Sequence, residues 1–123
     1  MKQQVWVGEK NPNAAYTPAI AAGGFIFVSG QGPLDAELNV VGGGIEEQTK
    51  VTLENVFSVL KAAGAKPDDI VKVNVYLDDI GKFNAFNECY KKMMPEEKPA
   101  RTTVAAGLPK GMIEIDCVAY TGK

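Results

Sequence analysis

Four places in the sequence hold groups that could act on a small molecule. Arg101 follows Pro99-Ala100 at the start of an alternating stretch, away from any helix surface. Its guanidinium is a planar fork that grips a carboxylate through two parallel hydrogen bonds. An ion pair with Glu114 or Asp116 across an interface would use the same fork for a structural purpose. Glu114 can move a proton or hold a water, or it can be a solvated rim carboxylate. Tyr16, on a loop after Ala14-Ala15, can donate a hydrogen bond to a ligand, or it packs. Ser29-Gly30-Gln31-Gly32 ends a strand in small residues, which lets a ligand approach the backbone; a plain turn reads the same way. The segment matches neither a Walker loop nor a dinucleotide fingerprint.

What the chain lacks narrows the chemistry. It has no histidine, so nucleophiles activated by histidine are excluded and the commonest metal ligand is missing. Its two cysteines, Cys89 and Cys117, are too few for a zinc site of cysteines, and no metal centre is expected. They are expected as free buried thiols, although the count also permits a disulfide. Thirteen Lys and Arg against fifteen Asp and Glu give a net charge of -2, without a basic cluster. A nucleic-acid partner is therefore not expected. At 123 residues, 46% hydrophobic and 23% charged, the chain reads as one folded domain over residues 1–123 rather than a disordered one. The start, Met1 to Trp6, lacks the apolar core of a signal peptide. No run approaches the ~20 apolar residues of a membrane helix. The expected localisation is cytoplasmic.

These residues need elements to position them. Val5 to Val7 suggests a first short strand. Ala19–Ala22 and Phe25–Ser29 read as a hairpin turned by Gly23-Gly24, followed by a loop from Leu34 to Gly44. Ile45–Ala63 reads as a helix whose stripe is Leu53, Val56, Phe57 and Leu60, with Gly64 as its C-cap. Ile70–Leu77 alternates as a strand, with Val71, Val73, Val75 and Leu77 facing one way and Ile70, Lys72, Asn74 and Tyr76 the other. Asp78 or Asp79 caps a second helix, Ile80–Met93, with the stripe Phe83, Phe86, Tyr90 and Met93. Arg101–Ala106 and Met112–Tyr120 are the last strands. Arg101, Thr103 and Ala105 share one face of the first. In the second, Ile113, Ile115, Cys117 and Ala119 form the core side and Glu114 and Asp116 the other.

The order β-ββ-α-β-α-ββ lets both helices cover one face of a single sheet. The other face stays uncovered yet carries Ile70, Tyr76, Val118 and Tyr120. Such a face suggests copies that pack sheet against sheet.

The residues Val28-Ser29-Gly30-Gln31-Gly32-Pro33, Pro99-Ala100-Arg101, Leu108-Pro109-Lys110-Gly111 and Ile113-Glu114-Ile115 together resemble the reactive-intermediate deaminases, the RidA or YjgF-like family. Ala62-Ala63-Gly64 and the run from Asp68 to Asp79 do so as well. The resemblance spans about Tyr16 to Tyr120. It implies an α+β, chorismate-mutase-like single domain, with a six-stranded mixed sheet and two helices on one face. It also implies a homotrimer around a central β-barrel, with ligand clefts between neighbouring chains. The implied activity is hydrolysis of enamines and imines such as 2-aminoacrylate to 2-oxo acids and ammonia, without a cofactor. A ribonuclease or translation-inhibitor role is also attached to the family's name. The resemblance further implies that Arg101 grips the substrate carboxylate and Glu114 attends the attacking water. It implies as well that Tyr16, Ser29, Gly30, Asn87 and Thr103 line the substrate. Thr103 stands where some of these deaminases carry a cysteine, Asp116 where many have a second glutamate, and Ala15 where a proline is common.

Overall fold

The computed structural model describes residues 1–122. The strands are β1 (Gln3–Val5), β2 (Ala19–Ala22), β3 (Phe25–Gln31), β4 (Ile70–Leu77), β5 (Ala100–Ala105) and β6 (Ile113–Tyr120). The helices are α1 (Ile45–Ala62) and α2 (Phe83–Met93). One mixed sheet runs in the order β1-β2-β3-β6-β4-β5. Only β4 and β5 pair in parallel, and α2 supplies the crossover that a parallel pair requires. The sheet and two helices are the α+β fold expected from the sequence.

Local chemistry accounts for the boundaries. Gly23 and Gly24 take φ of 58° and 85°, the left-handed pair that a two-residue hairpin turn needs. The first strand lies at Gln3–Val5 rather than Val5–Val7, because its last pair is Val5 with Ala19 and Pro18 cannot extend the ladder. Helix α1 ends as Gly64 turns to φ 80° and Ala65 N–H reaches back to the Leu60 carbonyl at 2.8 Å, a glycine-terminated helix end. Before α2, Asp79 accepts a hydrogen bond from Gly81 N–H at 2.8 Å. That cap opens a 3-10 turn, Ile80–Lys82, so the α-helix proper begins at Phe83.

The core lies between the helices and one sheet face. Leu53, Val56 and Leu60 of α1 and Phe86 and Tyr90 of α2 are buried there against Val73, Val75, Leu77, Ile113, Ile115 and Cys117. One expected placement is overturned. Ile70 joins this core, and Val71 is exposed instead. Ile70 pairs with Ala119 but Lys72 pairs with Val118, so a bulge inserts an extra residue and switches the facing of the strand's start. On the opposite face Phe25, Phe27, Val104 and Tyr120 remain exposed, with the Phe25 and Tyr120 rings 4.8 Å apart.

Candidate functional site

Arg101 sits near the start of β5, opposite Val73. That register points it to the helix-covered side, where α2 receives it. Its guanidinium carbon lies 4.7 Å from the Tyr90 ring centre, 5.4 Å from Phe86 and 5.5 Å from Phe83. Aromatic faces attract a cation electrostatically, so the helix stripe that reads in the sequence as plain core is also the bed of the arginine. Arg101 Nη1 donates to Asn87 Oδ1 at 2.8 Å, which fixes the rotation of the fork. Among the described residues no carboxylate forms an ion pair with it. The structural pairing with Glu114 or Asp116 is not made within the chain.

A cavity of about 320 Å³ opens beside this fork, lined by Asn87, Tyr90, Lys91, Lys98, Pro99 and Arg101. Three of these are cations and none is an acid, so the cavity favours an anion. Lys98 Nζ donates to the carbonyls of Lys91, Met94 and Pro95 at 3.0, 3.2 and 2.7 Å, closing the C-terminus of α2. Burial raises the Tyr90 phenol above its usual range, with the Arg101 charge opposing, and its hydroxyl has no partner among the described residues. Thr103 shares the Arg101 side of β5, with its hydroxyl also buried and without a partner among the described residues. It does not line the cavity.

Glu114 lies on the other face. It pairs across β6 and β4 with Tyr76, between the inward residues Ile113 and Ile115. Its carboxylate packs over Gly30: a β-carbon there would stand 2.6 Å from Glu114 Oε2. Glycine at this position is therefore what lets the carboxylate lie against the strand. Neither Glu114 oxygen has a hydrogen bond from the described residues. Asp116, two residues on, is fully engaged. It accepts from Asn74 Nδ2 at 2.9 Å and from the Tyr76 hydroxyl at 3.0 Å. Burial first, then the bond and charge of Asp116 and the charge of Glu114, raise the Tyr76 phenol.

A second cavity, also about 320 Å³, contains Glu114, Gly30 and Tyr16, closed by Leu34, Leu38, Pro109 and Lys110. Ser29 does not line it. Its hydroxyl donates to the Thr17 carbonyl at 2.6 Å and its N–H to the Pro18 carbonyl at 2.9 Å. Ser29 thus anchors the loop that presents Tyr16. Two side chains of α1 hold the remaining wall. Asn55 donates to the Gly32 and Leu34 carbonyls at 2.9 and 3.0 Å. Gln48 donates to the Val41 carbonyl and accepts from Met112 N–H. Gly111, at φ 76°, brings the 107–111 loop against Pro33, so close that a β-carbon would meet Pro33 Cγ at 2.5 Å.

The expected site residues thus fall into two groups on opposite sheet faces: Arg101, Asn87 and Thr103 on one, Tyr16, Gly30 and Glu114 on the other. Leu34, Leu38, Pro109 and Lys110 are additions. The glycines and prolines beside them mark loops, but nothing in the sequence brings those two loops together. Both thiols are free. Cys117 is buried and, chiefly through burial, pushed up to about 12; Cys89 is only half-buried. Among the described residues no cluster of three potential metal ligands occurs, and no helix is long and apolar enough to cross a membrane.

Comparison with known proteins gives a consistent set of relatives. The family described as Endoribonuclease L-PSP matches residues 8–121. The chain is 50% identical over 109 residues to the mitochondrial protein mmf2 of Schizosaccharomyces pombe, covering 85% of this chain and 86% of that one. The crystal structure of RidA from the Antarctic bacterium Psychrobacter superposes with a TM-score of 0.86 at 31% identity, over 96% of this chain and 98% of the other. That of Escherichia coli TdcF with bound serine superposes at 0.85 and 28%, over the same shares.

Proposed function

We propose that this chain, which belongs to the Endoribonuclease L-PSP family together with the RidA proteins, hydrolyses imine and enamine forms of 2-amino acids to 2-oxo acids and ammonia. One observation carries the reading. A positioned arginine without an anion and a carboxylate without a donor lie in two half-cavities on opposite faces of one sheet. Each is half of a site, and a neighbouring copy supplies the other half. A homotrimer whose uncovered sheet faces, with Phe25, Phe27 and Tyr120, meet at its centre would set the edge strand of one copy beside the Glu114 cavity of the next. The serine bound in TdcF supports a ligand of this size carrying a carboxylate.

The chemistry asks little of the protein. Arg101 takes the carboxylate of the imino acid and so fixes the imine carbon. Glu114 of the neighbouring copy holds a water against that carbon. The water lone pair forms the new C–O bond while the C=N π pair moves to nitrogen. Glu114 accepts the water proton and passes it to the nitrogen. In the collapse of the carbinolamine, Glu114 carries the hydroxyl proton to nitrogen as C=O forms and C–N breaks, releasing ammonia. Enamines such as 2-aminoacrylate enter by taking a proton at carbon and giving one up at nitrogen, which makes the imine. Tyr16, at the cavity edge, donates to the ligand. No step calls for a cofactor.

The test is a competition assay. An amino-acid oxidase generates an imino acid, semicarbazide traps it, and the protein competes. The wild type is expected to suppress semicarbazone formation, and Arg101→Ala to leave it unchanged. Glu114→Gln should lower the rate by at least tenfold while still binding a 2-oxo acid. Unchanged turnover in Glu114→Gln would remove Glu114 from the chemistry, whereas a wild type that binds a 2-oxo acid but leaves semicarbazone formation unchanged would favour a binding protein without catalysis. The family's description also carries an endoribonuclease reading, which requires RNA binding with a steep salt dependence. The absence of histidine and the net charge of -2 oppose it.

A further inference from the structure

Leu38 holds its backbone at φ 66°, and among the described residues it is the one non-glycine with a positive φ. That region crowds the β-carbon of any residue other than glycine, with Asn and Asp least disfavoured. Asn39 stands one position further on and does not take the left-handed conformation. The turn is firmly made. Leu38 N–H bonds the Asp35 carbonyl at 3.0 Å and Asp35 N–H the Asn39 carbonyl at 2.9 Å. Asp35 Oδ1 accepts from Glu37 and Asn39 N–H, and Leu34 bridges Val40.

Burial does not explain the leucine. It is 65% exposed and has no part in the core. What it does is line the Glu114 cavity, beside Leu34, Pro109 and the Tyr16 ring. The one cation there, Lys110, turns its ammonium to the Leu38 carbonyl at 3.4 Å, which leaves that wall apolar. A strained residue at a cavity wall, with no structural return, points to function.

We propose that Leu38 is a specificity residue, whose side chain receives the branched or linear aliphatic side chain of the substrate. The inference rests on the reading that 2-imino and 2-oxo acids occupy this site, and it assigns the substrate class as aliphatic. The strain then has a purpose: the turn would form more readily with glycine, but the wall would be gone.

Binding rather than turnover is the readout. Pyruvate and 4-methyl-2-oxopentanoate are titrated by calorimetry into the wild type, Leu38→Gly and Leu38→Asn. The wild type is expected to prefer the longer acid. Both variants should lose roughly tenfold in affinity for it, the size of effect an apolar pocket contact provides, and change less than about twofold for pyruvate. Leu38→Gly should melt no lower than the wild type, which separates lost recognition from lost folding. An unchanged preference in both variants, or a wild type without any preference, overturns the inference whatever the assay of imine hydrolysis gives. A Leu38-dependent preference in a protein that hydrolyses no imine keeps it and overturns the deaminase reading alone.

Discussion

Gly30 and Glu114 make the sharpest residue-level case, because one contact links backbone to chemistry. A β-carbon at residue 30 would displace the Glu114 carboxylate, which lies 2.6 Å from where that carbon would stand. The carboxylate is the free end of a flexible side chain, so the fold gives way there at little cost. Gly30→Ala is therefore expected to melt within a few degrees of the wild type and to lose roughly a hundredfold in kcat/KM, as a misplaced catalytic group does. Equal activity would separate Glu114 from the chemistry. Cys117 makes a different claim. Its thiol moves from the ordinary 9.0 to about 12, first through burial and then through Asp116. The folded chain thus keeps a proton that the unfolded chain gives up. The stability this provides is complete below pH 9 and falls as the pH rises toward 12. Chemical denaturation at about pH 8 and about pH 10.5 should lose about 2 kcal/mol from this group. Cys117→Ala should start less stable at the lower pH but lose less between the two. At this scale the sequence was informative about kind and poor about company. An arginine after Pro99-Ala100 and a glutamate in an alternating strand stand out as candidate ligand groups. That the arginine rests on Phe83, Phe86 and Tyr90 does not, because the same spacing serves an ordinary core.

At the scale of elements, the two loops that enclose Glu114 depend on a few positions that hold them to the helices and to each other. Gly111 is the tightest of them, combining a left-handed φ of 76° with the approach to Pro33. Gly107, in the same loop, has open space where a β-carbon would go and no positive φ. Gly111→Ala is expected to lower the unfolding free energy by about 2 kcal/mol or more, and Gly107→Ala by less than about 0.5 kcal/mol. Thermal unfolding of the pair checks it, and equal effects would contradict the packing described for this loop. Most elements are legible in the sequence because their periods are clean. The hydrophobic stripe of α1, the alternation of β6 and the two-glycine hairpin each have one physical solution. The two departures within the sheet have one kind of cause. The first strand shifts because its register belongs to β2, and Ile70 turns inward because a bulge against β6 resets the alternation. Both depend on a partner strand far along the chain, which local pattern does not specify.

At the scale of the molecule, the placement of Arg101 and Glu114 on opposite faces of the sheet governs the proposal. Arg101 points toward α2 and Glu114 toward the uncovered face, so on the proposed reading a single chain presents two half-sites and completes neither. The exposed aromatic face over β3 and β6 is where copies would meet, and closed symmetric assembly repeats the same junction around a ring. The most direct measurement is complementation. Arg101→Ala and Glu114→Gln chains are co-expressed with different affinity tags, the doubly tagged assemblies are isolated, and imine hydrolysis is compared with the wild type and with each variant alone. If the site is shared, a junction that joins the intact Arg101 of one chain to the intact Glu114 of its neighbour works; each mixed trimer holds one such junction in three, so the isolated assemblies recover about a third of the wild-type activity per site. If both residues act within one chain, every site keeps one defect. Mixed assemblies no more active than either parent would contradict the account.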